Sequence, residues 1–258
     1  MSTAVVTGAA GAIGSAVCAR LVARGFEVIA VDVDEAGLAR LPSVTPLVAD
    51  LTDPASHDAI AAAAPRCDVL VNNAGIVVTT PFERAERSDI LREQHLNLQA
   101  PILLTHALFP ALQRASGQLI SVVSLGSMLP LAESPGYSAS KFGLRGFLLS
   151  LAMRERETGV RVGIVNPGAV DTPMLRHEAA TGGSPLNFLG VPMRPEAVAD
   201  AVVGLLDRPR LEVNLPRHDG WLVKIALLAP GVFRRIRPLL ERAAQPALRR
   251  YRESRGIS

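Results

Sequence analysis

Apolar runs of strand length alternate with helix-length amphipathic stretches along most of the chain. Runs such as "DVLVNN" and "VRVGIVNPG" are apolar almost throughout, which is typical of strands covered on both faces. The stretches between them repeat apolar residues at helical spacing. The pattern predicts strands at 4–7, 27–31, 44–48, 69–72, 118–123, 161–166 and 211–214, and helices at 13–24, 56–64, 87–115, 137–158 and 195–206.

This succession of strands and helices predicts an α/β fold with one doubly wound parallel sheet, because each pair of parallel strands needs a crossover, usually helical. A single domain can hold 258 residues of this kind. We assign residues 1–210 to this domain and residues 211–258 to a C-terminal extension that holds a strand and an amphipathic helix. The segment 176–194 is predicted to be a loop or a mobile lid, since it is too long for a plain connection.

Charge separates the extension from the rest of the chain. Residues 1–209 carry 16 basic and 20 acidic side chains, whereas residues 210–258 carry 11 basic and 4 acidic ones. The apolar run 221–229 is too short to span a membrane, which takes about 20 residues. No recognition motif accompanies the basic residues, and we therefore expect no nucleic-acid binding.

Three interpretations of this extension stay open. It could be an amphipathic helix that covers a substrate cleft or packs on a second subunit. It could lie on an anionic membrane with Trp221, Leu227 and Phe233 facing inward and the arginines facing outward. It could also be a solvated tail.

The remaining composition favours a cytoplasmic protein, with peripheral membrane contact as the alternative. The chain opens "MSTAVVTGAAGAIG", which has neither the basic region nor the apolar region of a signal peptide. Cys18 and Cys67 lack metal-ligand spacing and are interpreted as small buried residues in a reducing compartment. His95 and His106 have no metal-binding partners nearby in sequence, so no metal site is expected.

A glycine-rich turn joins the first predicted strand to the first predicted helix. Gly8, Gly11 and Gly14 would let the backbone approach a pyrophosphate, and the helix would offer free N–H groups and the positive end of its dipole. Asp32 ends the second strand 18 residues after Gly14, near the offset at which an acid binds the adenosine ribose. Because a carboxylate there repels a 2′-phosphate, NAD(H) is expected as the cofactor in preference to NADP(H).

Three residues form a candidate catalytic set. Tyr137 and Lys141 are four positions apart in a predicted helix and share one face, and Ser124 ends an apolar run 13 positions before Tyr137. A tyrosine with a pKa of about 10 is a poor base at neutral pH. A nearby ammonium would lower that pKa, and a serine hydroxyl would hold the substrate oxygen. The set predicts proton transfer between Tyr137 and an alcohol or ketone.

Several motifs, in order over residues 3 to about 210, make the chain resemble the short-chain dehydrogenase/reductase family, in its compact single-domain branch. They are "TGAAGAIG" (7–14), "NNAG" (72–75), "HLNLQAP" around Asn97, Ser124, "YSASK" (137–141) and "NPGAVDTPM" (166–174). The resemblance implies a Rossmann-type fold, and a homodimer or homotetramer.

The resemblance also implies a role for each matching residue. The pyrophosphate would be lined by Gly8, Gly11, Ala12, Ile13 and Gly14, and the adenosine would contact Asp32, Asp50, Leu51, Asn73, Ala74 and Gly75. Tyr137 would be the acid/base, with Lys141 as its partner and ribose anchor, Ser124 as the substrate polariser and Asn97 as the holder of a linking water. The nicotinamide would contact Pro167, Gly168, Val170 and Thr172.

Two departures from the family pattern stand out. Alanine occupies position 12, where the compact branch often has glycine. The C-terminal ending that supports tetramers in many members is absent, and "HDGW" at 218–221 matches it only faintly. A dimer through the helices that begin near Arg87 and Tyr137 is the remaining expectation.

The predicted function is NAD(H)-dependent interconversion of a secondary alcohol and a ketone on a small hydrophobic substrate such as a steroid, a retinoid or an acyl chain. The apolar cleft would be lined by Met128, Leu129, Leu131, Met174, Leu186, Phe188, Leu189 and Met193. One alternative is an NADPH-dependent reductase of 3-oxoacyl chains on a carrier protein. Another is a dinucleotide-binding regulator or a membrane-associated scaffold without turnover.

Overall fold

The computed structural model describes residues 2–216, 223–224 and 227–257. Over this part of the chain one parallel sheet of seven strands is formed, in the order β3-β2-β1-β4-β5-β6-β7. The predicted doubly wound α/β fold is therefore confirmed. The strands are β1 (Thr3–Thr7), β2 (Glu27–Asp32), β3 (Thr45–Val48), β4 (Val69–Asn72), β5 (Gln118–Val122), β6 (Arg161–Pro167) and β7 (Glu212–Leu215).

Helices connect these strands and cover both faces of the sheet. They are α1 (Ala12–Ala23), α2 (Glu35–Leu38), α3 (Pro54–Ala63), α4 (Arg87–Gln94), α5 (Ala100–Ala115), α6 (Pro135–Ala152), α7 (Glu155–Thr158), α8 (Pro173–Thr181), α9 (Pro195–Asp207) and α10 (Pro230–Arg255). One turn of π-helix, His95–Gln99, joins α4 to α5, and 3₁₀ turns occur at Phe82–Arg84, Leu125–Ser127 and Pro185–Phe188.

The core consists of two apolar layers, one on each face of the sheet. On one face α1 and α9 pack with Val17, Leu21 and Val202 against the strands. On the other face α5 and α6 pack, with Leu108 and Leu148 fully buried. All five residues of β5 are buried, which explains why the strand sequences are apolar on both faces.

The chain reverses its direction across the sheet at β1, and this reversal creates a crevice. β1 pairs with β2 on one side and with β4 on the other. The connections after β1 and β4 therefore diverge at the carboxyl ends of these strands, where doubly wound sheets bind ligands. The glycine turn follows β1 and the "NNAG" segment follows β4, so both meet at this crevice.

The segment 176–194 is more ordered than a plain loop. It contains the end of α8 and the 3₁₀ turn Pro185–Phe188, and Val170 and Met193 form a parallel bridge at its base. Periodicity did not reveal α8, since Thr172 and Pro173 start it and glycine ends it after only nine residues.

The C-terminal extension joins the same fold. β7 pairs with β6 beyond the expected boundary at residue 210, and α10 follows as the amphipathic helix that the sequence predicts. Trp221 and the "HDGW" stretch lie outside the described residues. None of the described helices combines the length and the apolarity that a bilayer crossing requires.

Candidate active site

The glycine turn leaves the start of α1 open. Gly8 has a φ of +62°, and a Cβ there would come within 2.9 Å of the Ala74 Cα. A Cβ on Gly14 would overlap the Gly8 carbonyl oxygen, so a side chain cannot be accommodated at either position. Gly11 precedes α1 without any side-chain cap. The first N–H groups of α1 are thus available to an anionic group such as a pyrophosphate.

Thr7 and Asn73 hold the two loops of the crevice together. The Thr7 hydroxyl accepts hydrogen bonds from the backbone N–H groups of Asn73 (3.0 Å) and Ala74 (3.1 Å). The Asn73 amide donates to the carbonyl oxygens of Thr7 and Gly8. The Asn73 side chain is therefore committed to shaping the turn. Thr7 begins the glycine motif, but the motif alone does not predict this role of its hydroxyl.

Asp32 lies at the end of β2 beside the glycine turn. Its carboxylate accepts a hydrogen bond of 2.9 Å from the Ala10 backbone N–H, and another of 3.1 Å from Asp34. Asp34 instead caps α2 by accepting from the Gly37 N–H. The two acids thus have different tasks, and Asp32 is the one positioned at the crevice.

Asp50 and Leu51 follow β3. The Asp50 carboxylate accepts two hydrogen bonds from Thr52, through its backbone N–H and its hydroxyl, and these lower the pKa of Asp50. Leu51 is buried against the strands. Both residues follow β3 directly, and β3 pairs with β2 so that Val48 lies opposite Asp32.

Ser124, Tyr137 and Lys141 come together on one wall of a large cavity. Ser124 follows β5, and its hydroxyl accepts a hydrogen bond of 2.9 Å from the Gly126 backbone N–H. Tyr137 and Lys141 lie one turn apart on α6, with the Lys141 Nζ 5.5 Å from the centre of the Tyr137 ring. The expected sharing of one helix face is thus seen directly.

Asn97 lies in the π-helical turn and is fully buried. Its side chain accepts from the Ile76 backbone N–H at 2.9 Å and donates to the Ile76 carbonyl at 2.8 Å. A Cβ placed on Gly75 would lie 3.2 Å from the Asn97 oxygen and 3.4 Å from the Lys141 Nζ. A larger residue at position 75 would therefore crowd these two polar groups. π-turns of this kind are frequent at functional sites.

Glu93 is a buried acid near the same lysine, and it was missing from the expected set. Its carboxylate accepts a hydrogen bond of 2.8 Å from the Val78 backbone N–H. Burial raises the pKa of Glu93, while this hydrogen bond and the charge of Lys141 lower it in part. Glu93 and Asn97 are four positions apart, and this spacing is the signal in the sequence that could have paired them.

Burial dominates the titration of Tyr137 and Lys141. It raises the pKa of the Tyr137 phenol above its ordinary value; the hydrogen bond with Ser124 lowers this pKa, and the charges of Glu178 and Glu93 add to the rise. Burial also lowers the pKa of Lys141 to about 8, against the opposing charge of Glu93. The net direction for the pKa of Tyr137 is a rise, because loss of solvent and the two acids outweigh the hydrogen bond with Ser124.

The segment after β6 forms the opposite wall of the cavity. Pro167, Gly168, Val170 and Thr172 all line it. The Gly168 N–H donates to the Leu215 carbonyl at 2.7 Å, which ties this wall to β7. The Thr172 hydroxyl is already engaged, since it caps α8 by accepting from the Leu175 N–H.

The cavity has a volume of about 880 Å³ and extends from the start of α1 to α10. Its lining is mostly apolar, and the charged side chains among its described lining residues are Lys141 and Glu178. The expected residues that line it are Leu129, Leu131, Met174, Leu186, Leu189 and Met193. This volume is large enough for a drug-sized ligand.

Two of the expected lining residues are not on the cavity surface. Met128 is fully buried beside Leu125 and Val223. Phe188 is 2% exposed, and its ring packs against Tyr251 with the ring centres 5.0 Å apart. Both side chains pack beneath the residues that line the cavity. The sequence does not distinguish the two positions, because apolar residues suit the lining of a cleft and the packed layer beneath it equally well.

α10 closes one side of the cavity. Val232, Phe233, Ile236 and Leu240 lie on its apolar face and contribute to the lining. Polar contacts hold the helix to the walls at two places, and at the first Arg237 donates to Glu133 at 2.6 Å. At the second, the Tyr251 hydroxyl donates to Asp171 at 2.7 Å, and Arg255 and the α8 residue Arg176 pair with the same carboxylate. Arg252 donates to the Ala179 carbonyl nearby. Of the three interpretations of the extension, the structure therefore has the helix covering the cleft.

Comparisons with known proteins agree with this geometry. The sequence model of the family described as short chain dehydrogenase matches residues 2–182. The chain is 34% identical over 229 residues to a 1-deoxy-11-beta-hydroxypentalenate dehydrogenase of Streptomyces avermitilis, a match that covers 82% of this chain and 83% of that one.

Solved structures are similar over nearly their whole length. A short-chain dehydrogenase from Burkholderia cenocepacia in complex with NADP has a TM-score of 0.79 at 25% identity, covering 91% of this chain and 97% of that one. A 3-ketoacyl-(acyl-carrier-protein) reductase from Brucella melitensis, complexed with NADH, has a TM-score of 0.72 at 26% identity, covering 84% and 98%.

The chain belongs to the short-chain dehydrogenase/reductase family. It is an oxidoreductase that uses a nicotinamide dinucleotide and acts on CH–OH groups or the corresponding carbonyls. The glycine turn, the open start of α1 and the polar wall of the cavity fit such a cofactor.

Proposed function

We propose that the protein uses NAD(H) to interconvert a secondary alcohol and a ketone on a lipophilic substrate. The observation that carries this proposal is the position of Ser124, Tyr137 and Lys141 on one wall of a largely apolar cavity of about 880 Å³. The other charged residue of the described lining, Glu178, lies on α8. A substrate with one reactive oxygen and a mostly apolar body matches this distribution.

The side chains divide the proton transfer between them. The Tyr137 Oη would give its proton to the substrate oxygen in reduction and take it back in oxidation. The Ser124 Oγ would hold that oxygen through a hydrogen bond. Lys141 and Asn97 would position Tyr137 and pass the proton on towards solvent. The nicotinamide, when bound, supplies or accepts the hydride.

The preference for NAD(H) over NADP(H) is also part of this proposal. It is supported by Asp32, whose carboxylate already accepts from Ala10 in the glycine turn. The 2′-phosphate of NADP(H) would lie close to this carboxylate, whose negative charge would repel it. The cofactors bound to the similar solved structures include both NADP and NADH, so Asp32 carries the argument.

A reductase of 3-oxoacyl chains is the second candidate. The similar reductase from Brucella melitensis acts, by its name, on a 3-ketoacyl chain, and it was crystallised with NADH. A long acyl chain would also fit an apolar cavity. Kinetics with short and long 3-oxoacyl thioesters, measured with NADH and with NADPH, distinguish this candidate from a dehydrogenase of lipophilic alcohols.

The direct test is a screen of lipophilic secondary alcohols and ketones that follows NADH by absorbance. Tyr137→Phe removes the hydroxyl and keeps the ring, and we expect turnover to fall at least about 100-fold. Affinity for NADH, measured by fluorescence, should stay within a few-fold of wild type. Unchanged turnover in Tyr137→Phe would overturn the mechanism, and NADH binding without any turnover would favour the non-catalytic regulator.

We also propose that two chains associate through the helices that begin near Arg87 and Tyr137, which are α4 with α5 after it, and α6. Leu91 and Leu103 are 49% and 45% exposed on these helices, more than apolar side chains of this size favour in water. A second copy would cover them. This assembly is proposed as a homodimer.

Peripheral membrane contact is a further role proposed for α10. Leu228 and Leu239 are 86% and 62% exposed near a helix rich in arginine, a combination that suits an anionic lipid surface. Flotation with anionic and with neutral liposomes tests this. Equal behaviour with both would leave α10 as a cavity wall alone.

A further inference from the structure

One acid among the described residues that line the cavity has no part in the proposed proton transfer. Glu178 lies on α8 and lines the cavity among apolar residues such as Met174, Leu186 and Leu189. Among the residues that the structure describes, it forms no ion pair. The hydrogen bond it receives comes from the Asn187 side-chain amide, at 3.0 Å.

The backbone holds this acid in a defined position. The N–H groups of Gly182 and Gly183 both donate to the Glu178 carbonyl oxygen, where α8 ends after Thr181. A Cβ on Gly183 would come within 2.5 Å of the Glu178 Cβ, so only glycine allows this close approach. Asn187, in the following 3₁₀ turn, is brought back to the carboxylate by the same tight connection.

Glu178 is half-buried in the cavity wall, and even partial removal of a carboxylate from solvent is costly without a cation beside it. The apolar surroundings raise the pKa of Glu178 to about 7, and the Asn187 amide offsets this only in part. A purely structural role does not explain a carboxylate at this position, because a glutamine side chain would keep the hydrogen bond with Asn187 at a lower cost of desolvation. The carboxylate is therefore better explained by a ligand that hydrogen bonds to it.

Glu178 also lies within electrostatic reach of the catalytic tyrosine, because its charge raises the pKa of Tyr137. Both side chains line the same cavity. A substrate whose reacting oxygen is held at Tyr137 could thus place a second polar group at Glu178. The apolar body of the substrate would lie between these two points.

We propose that Glu178 and Asn187 recognise a second hydroxyl group on the substrate, away from the carbon that reacts. The substrate class is then a lipophilic diol, or the hydroxyketone formed from it. This inference rests on the proposed alcohol–ketone interconversion at Tyr137.

The donors and acceptors favour a hydroxyl over an ammonium group. One N–H of the Asn187 amide is bonded to Glu178, and within the described part of the chain its second N–H and the other carboxylate oxygen have no hydrogen-bond partner. A hydroxyl can donate to the carboxylate and accept from the amide at once. An ammonium group has no lone pair for the amide, and it would share the cavity with the Lys141 cation.

The test compares 2-alkanones of 6 to 12 carbons with their ω-hydroxy derivatives, with NADH as the reductant. Wild type should show a kcat/KM about 10- to 100-fold higher for the hydroxylated ketone at the chain length that reaches Glu178. In Glu178→Leu this ratio should fall to near one. Glu178→Gln keeps the shape and a neutral hydrogen bond, so its ratio should lie between those of wild type and Glu178→Leu.

Glu157→Gln, at an exposed position on α7, is the matched control and should keep the wild-type ratio. Equal kcat/KM for both ketone series in wild type, or a ratio unchanged in Glu178→Leu, would overturn the inference and leave the proposed function standing. A stronger preference for ω-amino-2-alkanones would overturn the choice of a hydroxyl. Failure to reduce any ketone of any series would overturn the proposed function, and the inference with it.

Discussion

Asp32 and Asp34 are separated by one residue, yet they have different tasks. Asp34 caps α2, whereas Asp32 faces the glycine turn and accepts from Ala10. The sequence places both at the end of a strand, and only hydrogen bonding distinguishes them. The pair therefore offers a matched test of cofactor choice.

Asp32→Ala removes the carboxylate expected to bind the ribose hydroxyls and to repel a 2′-phosphate. We expect the ratio of kcat/KM for NAD to that for NADP to fall by about 10- to 100-fold, as for loss of one or two charged hydrogen bonds. Asp34→Ala should leave the ratio unchanged and cost about 1 kcal/mol of stability through the lost cap. An unchanged ratio in Asp32→Ala would contradict the assignment.

Glu178 links the site to the stability of the fold. Its pKa is raised to about 7 in the folded state, whereas an unfolded glutamate titrates at about 4.3. The folded protein binds this proton more tightly than the unfolded chain does. The contribution of the proton to the free energy of unfolding is therefore complete below a pH of about 4.3, and it is lost as the pH rises through about 7.

Glu178→Gln carries no such titration, and we expect its Tm relative to wild type to increase with pH. The gain at pH 8.5 should exceed that at pH 4.5 by several degrees, because each kcal/mol shifts the Tm of a chain this long by about 2–4 °C. Thermal melts across this range test it, with the exposed Glu157→Gln as the control. A Tm difference that does not depend on pH would contradict a raised pKa of Glu178 in the folded protein.

Among the helices and strands, α10 is the element that covers one side of this cavity. Its apolar face lines the cavity, and Tyr251 fastens it to Asp171 and to the Phe188 ring. These contacts reach the segment after β6 and the segment after α8 at once. α10 thus couples the cover of the cavity to the wall that is expected to face the nicotinamide.

Tyr251→Ala should loosen this helix. We expect it to raise KM for lipophilic substrates about tenfold, and to cost roughly 1–3 kcal/mol of stability, with little effect on NADH affinity. Tyr251→Phe keeps the ring contact and should lie much closer to wild type. Steady-state kinetics and thermal melts measure both, beside the exposed Arg249→Ala. Wild-type KM in Tyr251→Ala would show that α10 does not enclose the substrate.

The whole molecule presents apolar side chains on α4 and α5 that a second copy would cover. Leu103→Glu places a charge at the proposed contact, and we expect the mass measured by light scattering to fall from that of two chains to that of one. Leu228→Glu, at an exposed position before α10, should leave the mass unchanged. A single-chain mass in the wild type would contradict the dimer.

Much of the fold and the catalytic set was predictable from the sequence, because local spacing determines both. The alternation of apolar runs predicted the sheet, the glycine turn predicted the open start of α1, and the interval from Tyr137 to Lys141 predicted a shared helix face. These features depend on neighbours in the chain, and the backbone geometry of strands and helices translates such spacing directly into position.

Only the tertiary structure decided which residues meet across the chain. Met128 and Phe188 were expected in the cleft, but packing from other elements buries them. Glu178 and α10 reach the cavity through contacts far apart in sequence, and the burial that raises the pKa of Tyr137 comes from the same packing. The reason is physical: solvent exclusion and the distances between charges depend on how the elements pack, which no local pattern records.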